Sequence, residues 1–136
     1  MQNRIHRVEI TERAQTLLRR LIEDNGPVLF RQAGEGCDEK DLTPVCLSAK
    51  QFPIEKADVL LGRLSWHTEF WISPAQFECW KDTHLTVDAV RGQAGPESLE
   101  AGQGMRFVLR ARRLTDAEHA ALAAGPPPRT GADRTL

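Results

Sequence analysis

The sequence predicts a small α+β domain with a mainly antiparallel, twisted sheet, an N-terminal helix and two short helices, and three observations predict it. Apolar residues recur at helical spacing at Ala14, Leu17, Leu18, Leu21 and Ile22. Apolar and polar residues alternate at strand spacing over residues 85–90 and again over 105–110. A helix-start signature at Ser73 falls between strand-like runs and another at Thr115 follows the last of them. The order is helix, several strands, short helix, strands, short helix, without the strict alternation of a parallel α/β fold.

The first helix opens at Thr11, a side-chain N-cap, and stops at Asn25-Gly26-Pro27. Residues 28–32, Val-Leu-Phe-Arg-Gln, read as a short buried strand that delivers the chain into Gly34-Glu35-Gly36-Cys37-Asp38. Residues 33–44 mix acids, Gly and Pro without periodicity and are expected to form a functional loop. Val45-Cys46-Leu47 resumes an apolar run, and a turn is expected around Pro53. Residues 59–64 and 70–72 are further strand candidates. Ser73-Pro74-Ala75-Gln76 predicts a helix to about Lys81, with Ser as N-cap, Pro at the first position and Gln completing a capping box. After the strand at 85–90, the Gly-rich stretch 92–104 reads as turn, and Met105 starts the last strand. Thr115-Asp116-Ala117-Glu118 is a second capping box, opening an Ala-rich helix. Residues 1–124 thus make one domain, and residues 125–136, with nothing to bury, are expected to be a disordered tail.

Composition excludes several function classes. With 136 residues the chain can bury one core. Lys plus Arg number 18 against 19 acids, a net charge of −1 that offers no basic footprint for nucleic acid. No stretch approaches the roughly 20 apolar residues of a membrane-spanning helix, and the polar start Met1-Gln2-Asn3-Arg4 lacks a signal-peptide core. The expected compartment is the cytoplasm, where thiols stay reduced. The three cysteines are then expected to be ligands, nucleophiles or core residues before disulfides.

The chemistry-bearing set is Cys37, Asp38, Cys46 and His84, with Asp82 and His67 in reserve. Thiolate and imidazole suit a single zinc, iron or copper ion, although Cys37 and Cys46 lie nine residues apart and match no zinc-finger spacing. The bland alternative is that both thiols are packed, since free Cys is often buried. Cys37 as nucleophile with His84 as base, oriented by Asp38, Asp82 or Asp88, would make a small enzyme acting on an aldehyde or thioester. Cys79, between Phe77 and Trp80, reads as a core or interface thiol, and His6 and His119 as surface residues. The Gly loop lacks the Lys-Ser/Thr of a phosphate-binding loop and carries acids, which excludes that use. Trp66, Phe70, Trp71, Phe77 and Trp80 read as core before pocket or docking face. The chain has no Tyr, which removes phenolic acid–base chemistry.

Several segments together resemble one bacterial family: the turn with Cys37-Asp38, Ala57-Asp58-Val59-Leu60-Leu61-Gly62, Gln76-Phe77-Glu78-Cys79-Trp80-Lys81-Asp82-Thr83-His84-Leu85, Ser98-Leu99-Glu100 and Met105-Arg106-Phe107. The family is domain of unknown function 779, and the resemblance runs to about Glu118. Its turn usually carries two adjacent cysteines before the Asp where this chain has Gly36-Cys37, and a His where this chain has Asp82. Its members are often encoded near aldehyde or alcohol dehydrogenases, so the resemblance implies an accessory role and a dehydrogenase partner. The chain itself has no dinucleotide fingerprint. The layout is also similar to the HesB-like A-type iron–sulfur carriers, whose two C-terminal cysteines have no counterpart after Cys79; this implies a single metal in place of a cluster.

The leading expectation is therefore a metal-binding accessory protein, a homodimer, with Cys37, Cys46 and His84 as ligands and Asp38 as ligand or orienter. The alternatives are the Cys37–His84 enzyme and a docking module whose cysteines are merely packed.

Overall fold

In the computed structural model, which describes residues 6–50 and 54–133, the chain is an α+β domain built from two mixed sheets. The turn expected around Pro53, the polar start and the last three residues of the tail lie outside the described residues.

Strand β1 (Val8–Ile10) leads into helix α1 (Glu12–Asn25). The Thr11 hydroxyl accepts from the Ala14 amide at 3.3 Å, as the sequence predicts. Ala14, Leu17, Leu18 and Leu21 are the buried face. Gly26 closes the helix at φ 78°, its N–H donating to the Ile22 carbonyl at 2.8 Å, a conformation that a side chain would strain.

Strands β2 (Val28–Gln32), β3 (Pro44–Ser48), β4 (Val59–Leu64) and β5 (Thr68–Ile72) form a sheet of order β3-β2-β5-β4. Helix α2 (Pro74–Trp80) follows, then β6 (Thr83–Arg91) and β7 (Met105–Arg113), which join β1 in a sheet of order β1-β6-β7. Helix α3 (Asp116–Ala124) carries the full capping box expected at Thr115 and Glu118.

Pairing is mainly antiparallel, as expected, at β2–β3, β4–β5 and β6–β7. What differs is that the strands form two sheets in place of one, and that β1–β6 and β2–β5 pair parallel. The reason is β1, whose three residues are too few to show alternation, and the crossover from β2 to β5, which only the folded chain reveals. The inner faces of both sheets and α1 enclose one core, in which Phe30 stacks on Phe70 at 5.9 Å and meets Phe107 edge-on at 4.8 Å. Trp80 belongs to this core, whereas Trp71 lies in a smaller cluster with Leu29 and Leu60. Trp66 is the exception to the aromatic-core expectation. It is exposed at the β4–β5 hairpin tip, where it and His67 both hold φ 58°.

The two sheets meet at two seams. At one, β4 lies against β1, and a Cβ on Gly62 would come 3.1 Å from Val8 Cγ1. At the other, between β3 and β7, side chains of the 92–104 stretch do the joining. Ser98 Oγ accepts from the Cys46 amide at 2.8 Å and donates to Glu100 Oε1, while Glu100 Oε2 accepts from the Phe107 amide at 3.1 Å. Ser98 and Glu100 are both buried, so one short segment satisfies the edge N–H groups of both strands.

The segment expected to be a disordered tail runs beside β4 where it is described. The Leu60 amide donates to the Arg129 carbonyl at 2.8 Å, and the Gly131 and Ala132 amides donate to Asp58 and Lys56 carbonyls at 2.9 and 3.0 Å. These are main-chain bonds, which a hydropathy reading does not register.

On the outer face of the three-stranded sheet, buried Asp88 accepts from Arg13 twice at 2.6 Å, from Arg110 Nε at 2.9 Å and from Thr11 Oγ1 at 2.8 Å. The Arg13 guanidinium above all holds this carboxyl well below its ordinary 3.8, against the opposing effect of burial. As pH falls through the ordinary carboxylate range, the unfolded carboxyl takes up a proton that the folded one refuses, so this stabilisation is lost on acidification. Asp88→Asn is expected to cost about 2 kcal/mol at neutral pH, discounted for the half-exposed arginines. It should also flatten the acid limb of stability, as urea midpoints between pH 6 and 3 will show.

Candidate functional site

The Gly-rich turn is shaped by close approach. A Cβ on Gly34 would run into the Asp41 carbonyl, so that position needs glycine for want of room. One on Gly36 would meet only the Asp41 carboxylate, which would have to turn aside and give up its bond to the Asp38 amide. Beyond them residues 39–41 make a 3₁₀ turn, in which Asp41 Oδ2 accepts from the Asp38 amide at 3.1 Å.

Two buried glutamines hold this loop. Gln32 Oε1 accepts from the Thr43 amide at 2.7 Å, and its Nε2 donates to the Asp41 carbonyl at 3.0 Å and to Gln76 Oε1 at 3.1 Å. Gln76 Nε2 donates to the Gly36 carbonyl at 3.0 Å, and Trp80 Nε1 donates to Gln76 Oε1 at 3.2 Å. The capping box expected at Ser73 is therefore only half made. The Ser73 hydroxyl accepts from the Gln76 amide at 3.2 Å, while the Gln76 side chain turns inward to the loop.

Cys79 is also on this side. Gln76, Cys79 and Trp80 stand at i, i+3 and i+4 and share a helix face, and Cys37 and Cys79 form a disulfide with Cα atoms 5.3 Å apart. Reading Cys79 as a packed thiol is corrected: it is the partner of Cys37. Cys37 is exposed and Cys79 half-buried. Beside them a cleft of about 330 Å³ is lined by Arg31, Gln32, Gly34, Glu35, Ser73 and Gln76.

The other expected site residues lie elsewhere. Cys46, on β3 opposite Phe30, is a free and fully buried thiol. Burial pushes it far above its ordinary value, with Glu100 adding to the effect. His84 stands on β6, buried, with Nε2 3.7 Å from Glu9 Oε2 and no hydrogen-bond partner for Nδ1 among the described residues. Burial lowers its imidazole pKa and Arg112 adds to this, while Glu9 and Glu118 oppose it. Asp38 is exposed at the start of the 3₁₀ turn.

Cys37, Cys46, His84 and Asp38 thus do not form one centre, and no group of three or more His, Cys, Asp or Glu among the described residues is arranged to hold a metal. The physical reason is strand parity and sheet membership. Cys46 points into the core, His84 belongs to the other sheet, and Cys37 is on a loop tied to α2. The Cys37–His84 dyad is corrected for the same reason: the thiol is bonded to Cys79 and the imidazole faces Glu9. Of the acids expected to orient it, Asp88 serves Arg13 and Arg110, and Asp82 lies 3.9 Å from His119. His67 sits at the hairpin tip, as expected of a turn residue.

The roles missed in the sequence are those of Gln32, Gln76 and Cys79. For Gln76 and Cys79 the signal was present in their i, i+3, i+4 spacing with Trp80, which turns a thiol and an amide to one side; for Gln32, at the end of β2, no local signal marks it. No helix among the described residues is long and apolar enough to cross a membrane. A family model described as a domain of unknown function (DUF779) matches residues 17–113. No curated protein matches the chain, and no solved structure does.

Proposed function

The chain belongs to the DUF779 family, and on that premise we propose that it is a thiol-based accessory protein whose working group is the Cys37–Cys79 pair, cycling between disulfide and dithiol. One observation carries this reading: two cysteines 42 residues apart are joined across a glutamine-held loop, with Cys37 open to solvent.

The exchange is simple to write. The thiolate of an incoming thiol attacks Cys37 Sγ, the more exposed sulfur, and the S–S electrons leave on Cys79 Sγ, which takes up a proton. A second thiol, having lost its proton, then attacks the mixed disulfide and releases Cys37, which is protonated in turn. The protein gains two electrons and two protons, and the reductant leaves as a disulfide. In a reducing cytoplasm the dithiol would prevail and the disulfide would form under oxidising load. The accessory role beside an aldehyde- or alcohol-oxidising enzyme comes from the family resemblance, and such an enzyme's reactive thiol is the exchange partner it suggests.

Thiol counting in glutathione buffers of graded poise tests this. Two thiols per chain are expected to appear and disappear together, and Cys46 should react only after denaturation, because it is buried and its thiolate is disfavoured. In Cys37→Ser, Cys79 should leave the thiol count only as a mixed disulfide with glutathione, which the protein mass reveals. Cys37 and Cys79 that stay reactive in every buffer, or that are lost in wild type only as glutathione adducts, would sink the proposal.

A further inference from the structure

We propose that the reduced Cys37–Cys79 pair is a two-thiolate site for a soft monovalent metal ion, with Cu(I) the ion whose chemistry it fits. It rests on the same pair as the function above, but not on its redox cycling.

The first support is geometric. The two Cα atoms are 5.3 Å apart, and the disulfide is not what alone keeps them there. Gln76 bonds the Gly36 carbonyl at 3.0 Å, next to Cys37, and Gln32 holds Asp41 and Thr43 at 3.0 and 2.7 Å. With those bonds kept, breaking the S–S bond leaves two thiols face to face. Two metal–sulfur bonds of roughly 2.3 Å each, the length of a zinc–thiolate bond, need sulfurs ~4.5 Å apart. Rotation about the two Cα–Cβ bonds provides that separation without moving the backbone.

The second support is the donor set. No three His, Cys, Asp or Glu gather into a metal-holding group among the described residues, so the pair offers two soft donors and no organised third. Zinc requires four donors in a tetrahedron. Two thiolates alone select a soft ion such as Cu(I). Charge agrees with a cation: residues 35–41 carry Glu35, Asp38, Glu39 and Asp41 against Lys40 alone. Binding replaces two S–H protons by one Cu(I), the protons pass to solvent, and no electron moves. The metal reading of Cys37 thereby acquires a different partner, Cys79 in place of Cys46 and His84.

The test adds anaerobic, reduced protein to the Cu(I)–bathocuproine disulfonate complex and follows loss of its visible absorbance. Wild type is expected to withdraw one Cu(I) per chain. Cys37→Ser and Cys79→Ser should each weaken uptake at least tenfold, and Cys46→Ala should keep it, with circular dichroism verifying that each variant is folded. Should a serine variant not fold, wild type pre-treated with phenylarsine oxide, which bridges paired thiols, must refuse copper. The proposal is overturned if wild type leaves the complex intact, if Cys46→Ala loses copper while Cys37→Ser keeps it, or if equimolar Zn(II) displaces Cu(I). Thiol counting in chelator-treated protein separates the two readings. A chain that cycles but refuses copper overturns only this inference, and one that binds copper but never forms the disulfide overturns only the redox function.

Discussion

Reduction of the Cys37–Cys79 disulfide is expected to lower the stability of the domain by about 4 kcal/mol, the chain-entropy value for a closed loop of this length. The sequence separation of 42 residues sets that magnitude. Most of the change belongs to the unfolded chain, because Gln32 and Gln76 keep the loop on α2 in the folded one. The melting temperature should therefore fall by on the order of 10 °C, while the fold and the burial of Cys46 persist. Thermal unfolding of oxidised and reduced protein checks this directly. Cys37→Ser and Cys79→Ser should each match reduced wild type, and the double variant should cost no more than either single one. An unchanged midpoint on reduction would mean that the bridge constrains nothing. Additive single losses would mean that the two cysteines act separately.

Glu100→Ala is expected to cost about 3 kcal/mol. Its carboxyl takes one bond from Ser98 Oγ and one at 3.1 Å from the Phe107 amide, at 1% exposure, so truncation strands two buried donors. Ser98 in turn holds the Cys46 amide, and the loss spreads to both strands of the β3–β7 seam. Glu100→Gln keeps an acceptor for Phe107 and should cost roughly half as much, because Ser98 then faces a donor. Urea midpoints give the losses, and hydrogen exchange at Cys46 and Phe107 locates them. A Glu100→Gln variant as stable as wild type would show that volume, not hydrogen bonding, is what the seam needs.

Much of the fold was legible because its signals are local. Thr11 and Gly26 bound α1 in the sequence as they do in the structure, and the Thr115–Glu118 capping box is complete. Residues 28–32 and 59–64 form strands over the expected spans. Ser98-Leu99-Glu100 stood out only as a family motif, since nothing in three consecutive residues says that two sheet edges will need their side chains. Gln76 was read as a cap by its spacing from Ser73, but the buried Gly36 carbonyl and Trp80 Nε1 compete for the same amide and win it.

By itself the sequence determined the α+β class, the helix limits, most strands, the loop at Gly34–Cys37 and membership of one family. These follow from periodicity and caps within a few residues of one another. Only the tertiary structure decided which thiols meet. Cys37 and Cys46 are near in sequence, yet strand pairing turns Cys46 into the core. Cys79 is far in sequence, yet one turn of helix beyond Gln76 sets it against the loop. Disulfide and metal chemistry depend on distances between side chains, and those are set by sheet order and helix face, which no local pattern encodes.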